Sequence, residues 1–354
     1  MSAEGLKKKT SILSPFSSEQ NILYPLLAFA AILLFNFIFT DGFFRIEIKN
    51  GHLFGSLIDI FNRGAPVILI TIGMTLVYAT GGVDLSVGAI IAISGALAAQ
   101  LIRPDYVKGI LEYGDQTSLI IVLLVPLFLS LILGLWNGFL VAYIGVQPII
   151  ATLILMTVGR GIAQLITHGQ IIVFEHAPFQ FMGSGFFLGL PFPVILVILL
   201  FILTWALTRK TTLGLFIEAS GANALASRYM GIPVRMITTF TYGFSGFCAG
   251  LAGLIITADI KAADANNAGI FMELDAIAAV IIGGTINGGR FSMAGAVIGA
   301  LIIQSLTTTI ITRGVPPQVV LVFKAVIIII VALIQSKRLR NQLSLILHPG
   351  ERSS

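Results

Sequence analysis

Residues 80–95 read Thr80-Gly81-Gly82-Val83-Asp84-Leu85-Ser86-Val87-Gly88-Ala89-Ile90-Ile91-Ala92-Ile93-Ser94-Gly95, with two glycines, an aspartate and a serine set between apolar stretches. Each flanking stretch is apolar enough to sit in lipid. A bilayer core offers no water to satisfy broken backbone hydrogen bonds, so an interruption there is tolerated only beside other protein or an aqueous cavity. A carboxylate at that depth costs about 2.5–3.5 kcal/mol on insertion scales, and such residues mark solute or ion pathways. The segment therefore predicts a broken, membrane-embedded helix beside a transport route.

Composition agrees on the solvent. The chain has 354 residues, 56% of them hydrophobic and only 10% charged, with a mean hydropathy of +0.99. A soluble domain carries about 25% charged residues. The single cysteine, Cys248, lies within an apolar segment, so there is no disulfide framework. The net charge of +5 comes from basic clusters beside apolar segments, the pattern of orientation signals rather than of a nucleic-acid surface. Lys7, Lys8 and Lys9 precede an apolar run from Ile22 to Phe39 that is too long for a signal h-region and has no small-x-small site after it. It reads as an uncleaved first helix.

Helices are expected near 22–40, 65–80, 86–102, 118–143, 148–167, 190–208, 236–257, 275–284, 293–312 and 318–335. The fold class is thus an all-α polytopic membrane protein of about ten transmembrane helices, some broken or re-entrant. The 275–284 piece is too short to cross alone and ends at Gly283-Gly284. Residues 1–21 form an amino-terminal tail, 22–336 the membrane domain and 337–354 a carboxy-terminal tail. Lys7–Lys9, the Lys337-Arg338-Arg340 cluster, and Arg209, Lys210, Arg228 and Arg235 are expected on the cytoplasmic side. Asp105, Glu112 and Asp115, and then Asp259, Asp264, Glu273 and Asp275, mark outer loops. An even number of crossings with both termini cytoplasmic satisfies every segment. Gly81-Gly82 and Gly283-Gly284 with Gly288-Gly289 also fall at equivalent turns, a weak internal echo.

Asp84 has two readings. It lines a solute route, or it caps the helix beginning near Leu85, a role Ser86 shares; capping is favoured, and the two coexist if the capped half-helix faces a cavity. Arg160 pairs with Asp84 or contacts solute, or else it snorkels from its helix end. Asn137, Gln147, Thr152 and Asn287 complete the candidate pathway, with Gln164 nearby, although interhelical hydrogen bonding alone explains such residues. Glu273-Leu274-Asp275 reads first as an acidic helix start. The 209–235 stretch carries Leu215, Phe216, Ile217, Tyr229 and Met230. Apolar residues in a cytoplasmic connection mark either a docking site or a loop folded on its own helix ends.

Absences narrow the class. There is no Gly-x-x-x-x-Gly-Lys-[Ser/Thr] loop, and His52, His168, His176 and His348 are scattered without metal spacing. The expectation is a transport protein and not an enzyme, with no cofactor and no metal.

Three stretches, taken together, resemble the permease subunits of bacterial ABC importers for monosaccharides of the ribose, galactose and xylose type. They are Gly73-Met74-Thr75-Leu76 running into Gly81–Gly88; Gly214, Ala219, Gly221, Asn223, Ala226, Gly231 and Ile232; and Glu273–Ala279 followed by Gly283-Gly284-Thr285 and Gly288-Gly289. Within that family, Gln147-Pro148, Ala151–Met156, Gly159-Arg160-Gly161 and Ala258–Gly269 are most similar to a galactofuranose importer permease. The resemblance implies an ABC ATPase subunit, a second permease subunit (identical or paralogous) and a periplasmic sugar-binding protein as partners, in the lipid of the bacterial inner membrane. It also implies ATPase coupling through residues 214–232, where Gly214, Glu218, Ala219, Gly221, Asn223, Ala226, Arg228 and Gly231 fall. An ion-coupled secondary transporter using Asp84 and a passive channel using the glycine turns as a filter are the alternatives.

Overall fold

The computed structural model describes residues 20–40, 42–49, 52–103, 117–285, 287–316, 319–326 and 329. The lysines at 7–9, the acids at 105, 112 and 115, the carboxy-terminal cluster and half of the expected 318–335 helix lie outside these residues.

The helices are α1 (Gln20–Phe39), α2 (Ser56–Ala79), α3 (Val87–Ile102), α4 (Leu119–Phe139), α5 (Pro148–Ile166), α6 (Ala177–Ser184), α7 (Phe192–Arg209), α8 (Leu213–Ala222), α9 (Ala224–Tyr229), α10 (Val234–Ile260), α11 (Met272–Ile282) and α12 (Met293–Thr312). Among the described residues, seven spans are long and apolar enough to cross a membrane. Helix α3 has 16 residues and α11 has 11, so at 1.5 Å per residue α11 covers only about half of a hydrocarbon core roughly 30 Å thick.

Helix α10 is the axis. Its 27 residues run about 40 Å and pack against α2, α3 and α4. The contact with α4 is made by small residues: a Cβ on Gly246 would fall on the Ser130 carbonyl, and one on Gly134 on the Tyr242 carbonyl. Backbones that close substitute dispersion contact for the hydrophobic drive that lipid cannot supply. Helix α2 is buried almost all round, from Gly64 to Val77, as expected of a helix without a polar stripe at a bundle centre. Helices α1, α4, α5 and α7 turn leucine, isoleucine and phenylalanine outward, with Leu124, Phe128, Leu199 and Ile202 all exposed.

The length of α10 puts its two flanking segments at opposite ends. One end carries α8 and α9 and is called here the Gly221 end. The other carries the β1 (Glu47–Lys49) and β2 (His52–Phe54) hairpin, joined to the Gly189 turn by Leu53 N–H donating to the Gly189 carbonyl at 3.0 Å; this is the Gly189 end. There too, β3 (Ile172–Val173) pairs antiparallel with β6 (Ala262–Ala263).

Three local expectations differ in detail from the structure. Helix α2 begins at Ser56, not near 65, because Asp59, Asn62 and Arg63 lower the local hydropathy without breaking the helix. The 209–235 connection forms two short helices, and the 168–191 loop contains α6 and the paired β4 (Phe186–Phe187) and β5 (Leu190–Pro191).

Candidate functional site

The 80–86 break is held by side chains of three helices, α4, α5 and α10. Asp84 Oδ1 accepts hydrogen bonds from the Ser86 amide at 3.0 Å and the Ser86 hydroxyl at 2.6 Å. Asp84 Oδ2 accepts from the Ser245 hydroxyl of α10 at 2.8 Å. Asn137 of α4 donates to Ser86 Oγ at 2.9 Å. The Val83 carbonyl accepts from the Tyr242 hydroxyl at 3.3 Å and the Thr152 hydroxyl at 3.4 Å. Asp84, Ser86, Asn137, Thr152 and Ser245 are all fully buried. Both carboxylate oxygens are thus bonded to protein donors, the arrangement a buried charge requires. Sequence reasoning missed Tyr242 and Ser245, because isolated polar residues in a long apolar helix carry no local signal.

Arg160 joins a different cluster. Its Nη1 donates to the Ala268 carbonyl at 2.5 Å and the Ala265 carbonyl at 3.1 Å, with Asp264 and Glu273 near enough to act on its charge. Of the three readings of Arg160, pairing with Asp84 is not what the structure contains. Gln164 donates to Asn266 at 2.9 Å. These contacts draw residues 264–271 back into the bundle until Gly269 meets Gly88: a Cβ on either glycine would strike the other's carbonyl. Gly269 also holds φ +73°, a conformation that other residues reach only with strain. Glu273 is buried beside Gly88, and a Cβ there would lie 2.6 Å from its carboxylate. Asp275 is paired with Lys324 at 2.6 Å.

The two glycine breaks meet at the Gly221 end. Gly288 and Gly289 N–H groups donate to the Tyr78 and Ala79 carbonyls at 3.0 and 2.8 Å, satisfying groups that the end of α2 leaves open. Gly221 of α8 packs onto this junction: its Cβ would lie 2.7 Å from Gly289 N and still closer to the Ala79 carbonyl. A crevice of ≈ 150 Å³ lies alongside, between Gly81-Gly82 and Ser220, Ala224 and Arg228. Asn287 is exposed next to the junction and Gln147 is exposed as the residue capping α5; neither reaches Asp84.

Within the segment, Gly214 sits against the Thr208 carbonyl, Glu218 pairs with Arg209 at 3.4 Å, and the Ala219 carbonyl accepts from Ser227 at 2.8 Å. Asn223 Oδ1 caps α9 by accepting from Ala226 N–H at 2.9 Å. Gly231 turns the chain at φ +82°, and Arg228 is exposed. Arg209 also donates to the Phe291 carbonyl at 2.8 Å and covers the Phe291 ring, linking α7, α8 and the second break. Leu225, Tyr229 and Met230 stay exposed, the last two at 83% each.

A bundle of lipid-facing helices around two buried breaks, with an apolar knuckle at one end, has the form of a polytopic membrane permease. The chain belongs to the family described as the permease component of the branched-chain amino acid transport system, which matches residues 56–332. It is 51% identical to a galactofuranose transporter permease protein of Escherichia coli, over 88% of this chain and 89% of that one. A fructose import permease protein of Bifidobacterium longum is 37% identical, over 91% and 89%. A ribose import permease protein of Escherichia coli is 34% identical, over 90% and 94%. No solved structure matches the chain. Its relatives are transport components and not enzymes.

Proposed function

We propose that this permease is the membrane subunit of an ATP-driven ABC importer that carries a monosaccharide, with galactofuranose the first candidate, inward across the bacterial inner membrane. The observation that carries this reading is the seat of Gly221 on the junction of the two breaks. A displacement of α8 is passed directly to the backbone of both. The exposed face at Leu225, Tyr229 and Met230 is the surface a cytoplasmic ATPase would grip. Three relatives are permeases for galactofuranose, fructose and ribose, all of them monosaccharides.

On this reading both termini are cytoplasmic and about ten segments cross or enter the bilayer. A periplasmic binding protein delivers sugar at the Gly189 end, and a second permease subunit, identical or paralogous, completes the channel. Nucleotide drives the cycle only by binding one conformation more tightly than the other. Asp84, Ser86, Asn137 and Thr152 hold the moving break in register; Gln147 and Asn287 stand at its cytoplasmic mouth and Arg160 at the inturned 264–271 segment. The ion-coupled alternative used Asp84, which would have to be free to take up the ion, and the bonds to both of its oxygens argue against an ion site there.

The test is uptake into proteoliposomes holding the permease, its ATPase and the binding protein, with radiolabelled galactofuranose, ribose and fructose supplied in turn. Saturable uptake that needs ATP is expected. Uptake driven by a proton or sodium gradient with no ATPase present would overturn the proposal.

A further inference from the structure

A cavity of ≈ 380 Å³ opens between α2, α7, α10 and α12 toward the Gly189 end, within the size range of small-molecule sites. It is well separated from the Asp84 cluster. On one wall, Asp59, Asn62 and Arg63 share a face of α2, being three and four residues apart. Asp259 faces them from the last turn of α10, while Gln304 and Thr308 come from α12. Ile255 and Ile256 form an apolar patch between the polar groups.

This wall differs from the buried Asp84 cluster in that Asp59, Arg63 and Asp259 are open to solvent. Among the described residues, the side chains of Asp59, Asn62, Arg63 and Asp259 make no hydrogen bond or salt bridge, although Arg63 acts electrostatically on Asp259. Asn62 Oδ1 is buried without a partner. Gln304 reaches only Thr308, at 3.4 Å, near the limit for such a bond. The cavity thus presents charged and polar groups that no protein partner engages and that a solute can reach.

Charge selects among solutes. Two carboxylates face one guanidinium, which disfavours anions such as sugar phosphates, while Arg63 disfavours a bare cation. Carboxylate and amide oxygens accept from hydroxyls, Arg63 and the Asn62 amide donate to them, and the isoleucines match the C–H face of a sugar ring. We infer that this cavity is a binding station for a neutral polyhydroxylated solute, within a single permease subunit and at its outer mouth. The inference rests on the transport reading and adds a station to it.

The wild-type chain carries one thiol, on Cys248, which is fully buried, so a cysteine at Thr307 on the cavity wall can be followed without background. The T307C permease is assembled with its ATPase in phosphatidylcholine nanodiscs, which contain no polyol headgroup. Its labelling by a water-soluble maleimide is timed with and without D-ribose, D-fructose and D-galactose as probes. At least a three-fold slowing by one of these sugars is expected, lost when Asp259→Asn or Asn62→Leu is added. Absence of labelling, or labelling that no sugar slows, overturns the station. ATP-dependent uptake by the same T307C complex is measured in parallel. Intact uptake without protection removes this site alone, whereas absent uptake in the wild-type complex removes the transport reading itself.

Discussion

The Gly289 amide donates to the Ala79 carbonyl at 2.8 Å, so the turn before α12 closes the end of α2 across most of the chain's length. Gly221 rests on that bond from the third side. Three segments far apart in sequence thereby share one hinge point, and a side chain on any of the three glycines Gly221, Gly288 or Gly289 would alter it.

Gly221→Val is expected to wedge α8 off the junction. Overpacking of this kind costs about 1–3 kcal/mol, which a bundle of this size tolerates. Sugar-stimulated ATP hydrolysis should fall at least ten-fold while membrane insertion stays normal. Wild-type stimulation in that variant would detach Gly221 from coupling.

Tyr229→Glu combined with Met230→Glu places two charges on the exposed apolar knuckle. Copurification of the ATPase should be lost, and the permease alone should keep its melting temperature because neither side chain is packed. Retained ATPase at wild-type stoichiometry would move the docking face elsewhere.

Asp84→Ala strands the hydroxyls of Ser86 and Ser245. Hydrogen bonds to a charged group contribute about 1.5–3 kcal/mol each, so a lowered melting temperature and loss of transport are expected. Asp84→Asn keeps the shape and an acceptor and should be milder, yet still reduce transport more than Asp275→Asn, whose partner Lys324 lies near the bundle edge. Equal, small effects from the two asparagine variants would confine Asp84 to capping.

Arg160→Met keeps side-chain length but releases the Ala265 and Ala268 carbonyls. Amide hydrogen exchange should accelerate at least ten-fold across 264–271 while α10 remains protected, since local opening there breaks few other contacts. Unchanged exchange would mean that the Gly88–Gly269 contact alone holds the segment.

The membrane class, the extents of α5 and α12 to within a residue, and the half-length of α11 were readable from Pro148–Ile166, Met293–Thr312 and the Gly283-Gly284 stop. These follow from hydropathy and glycine placement, which are local. The start of α2 was not readable, because Asp59, Asn62 and Arg63 look like a loop until α10 and α12 come to face them. The expectation that Asp84 caps the helix beginning near Leu85 led only as far as Ser86, two residues away, which is itself the N-cap of α3 and carries no side-chain cap bond. It did not reach Ser245, 161 residues away.

From its order of side chains alone, the chain had to be helical, embedded in lipid and interrupted at Gly81–Asp84 and Gly283–Gly289, since apolar runs and backbone breaks act over a few residues. Only the packed bundle decided that the interruptions touch beneath Gly221, that Asp84 is bonded on both oxygens while Asp259 is not, and that Arg160 grips carbonyls. Those outcomes depend on which surfaces meet across hundreds of residues, and small-residue contacts such as Gly134 on Tyr242 set that meeting by shape rather than by polarity.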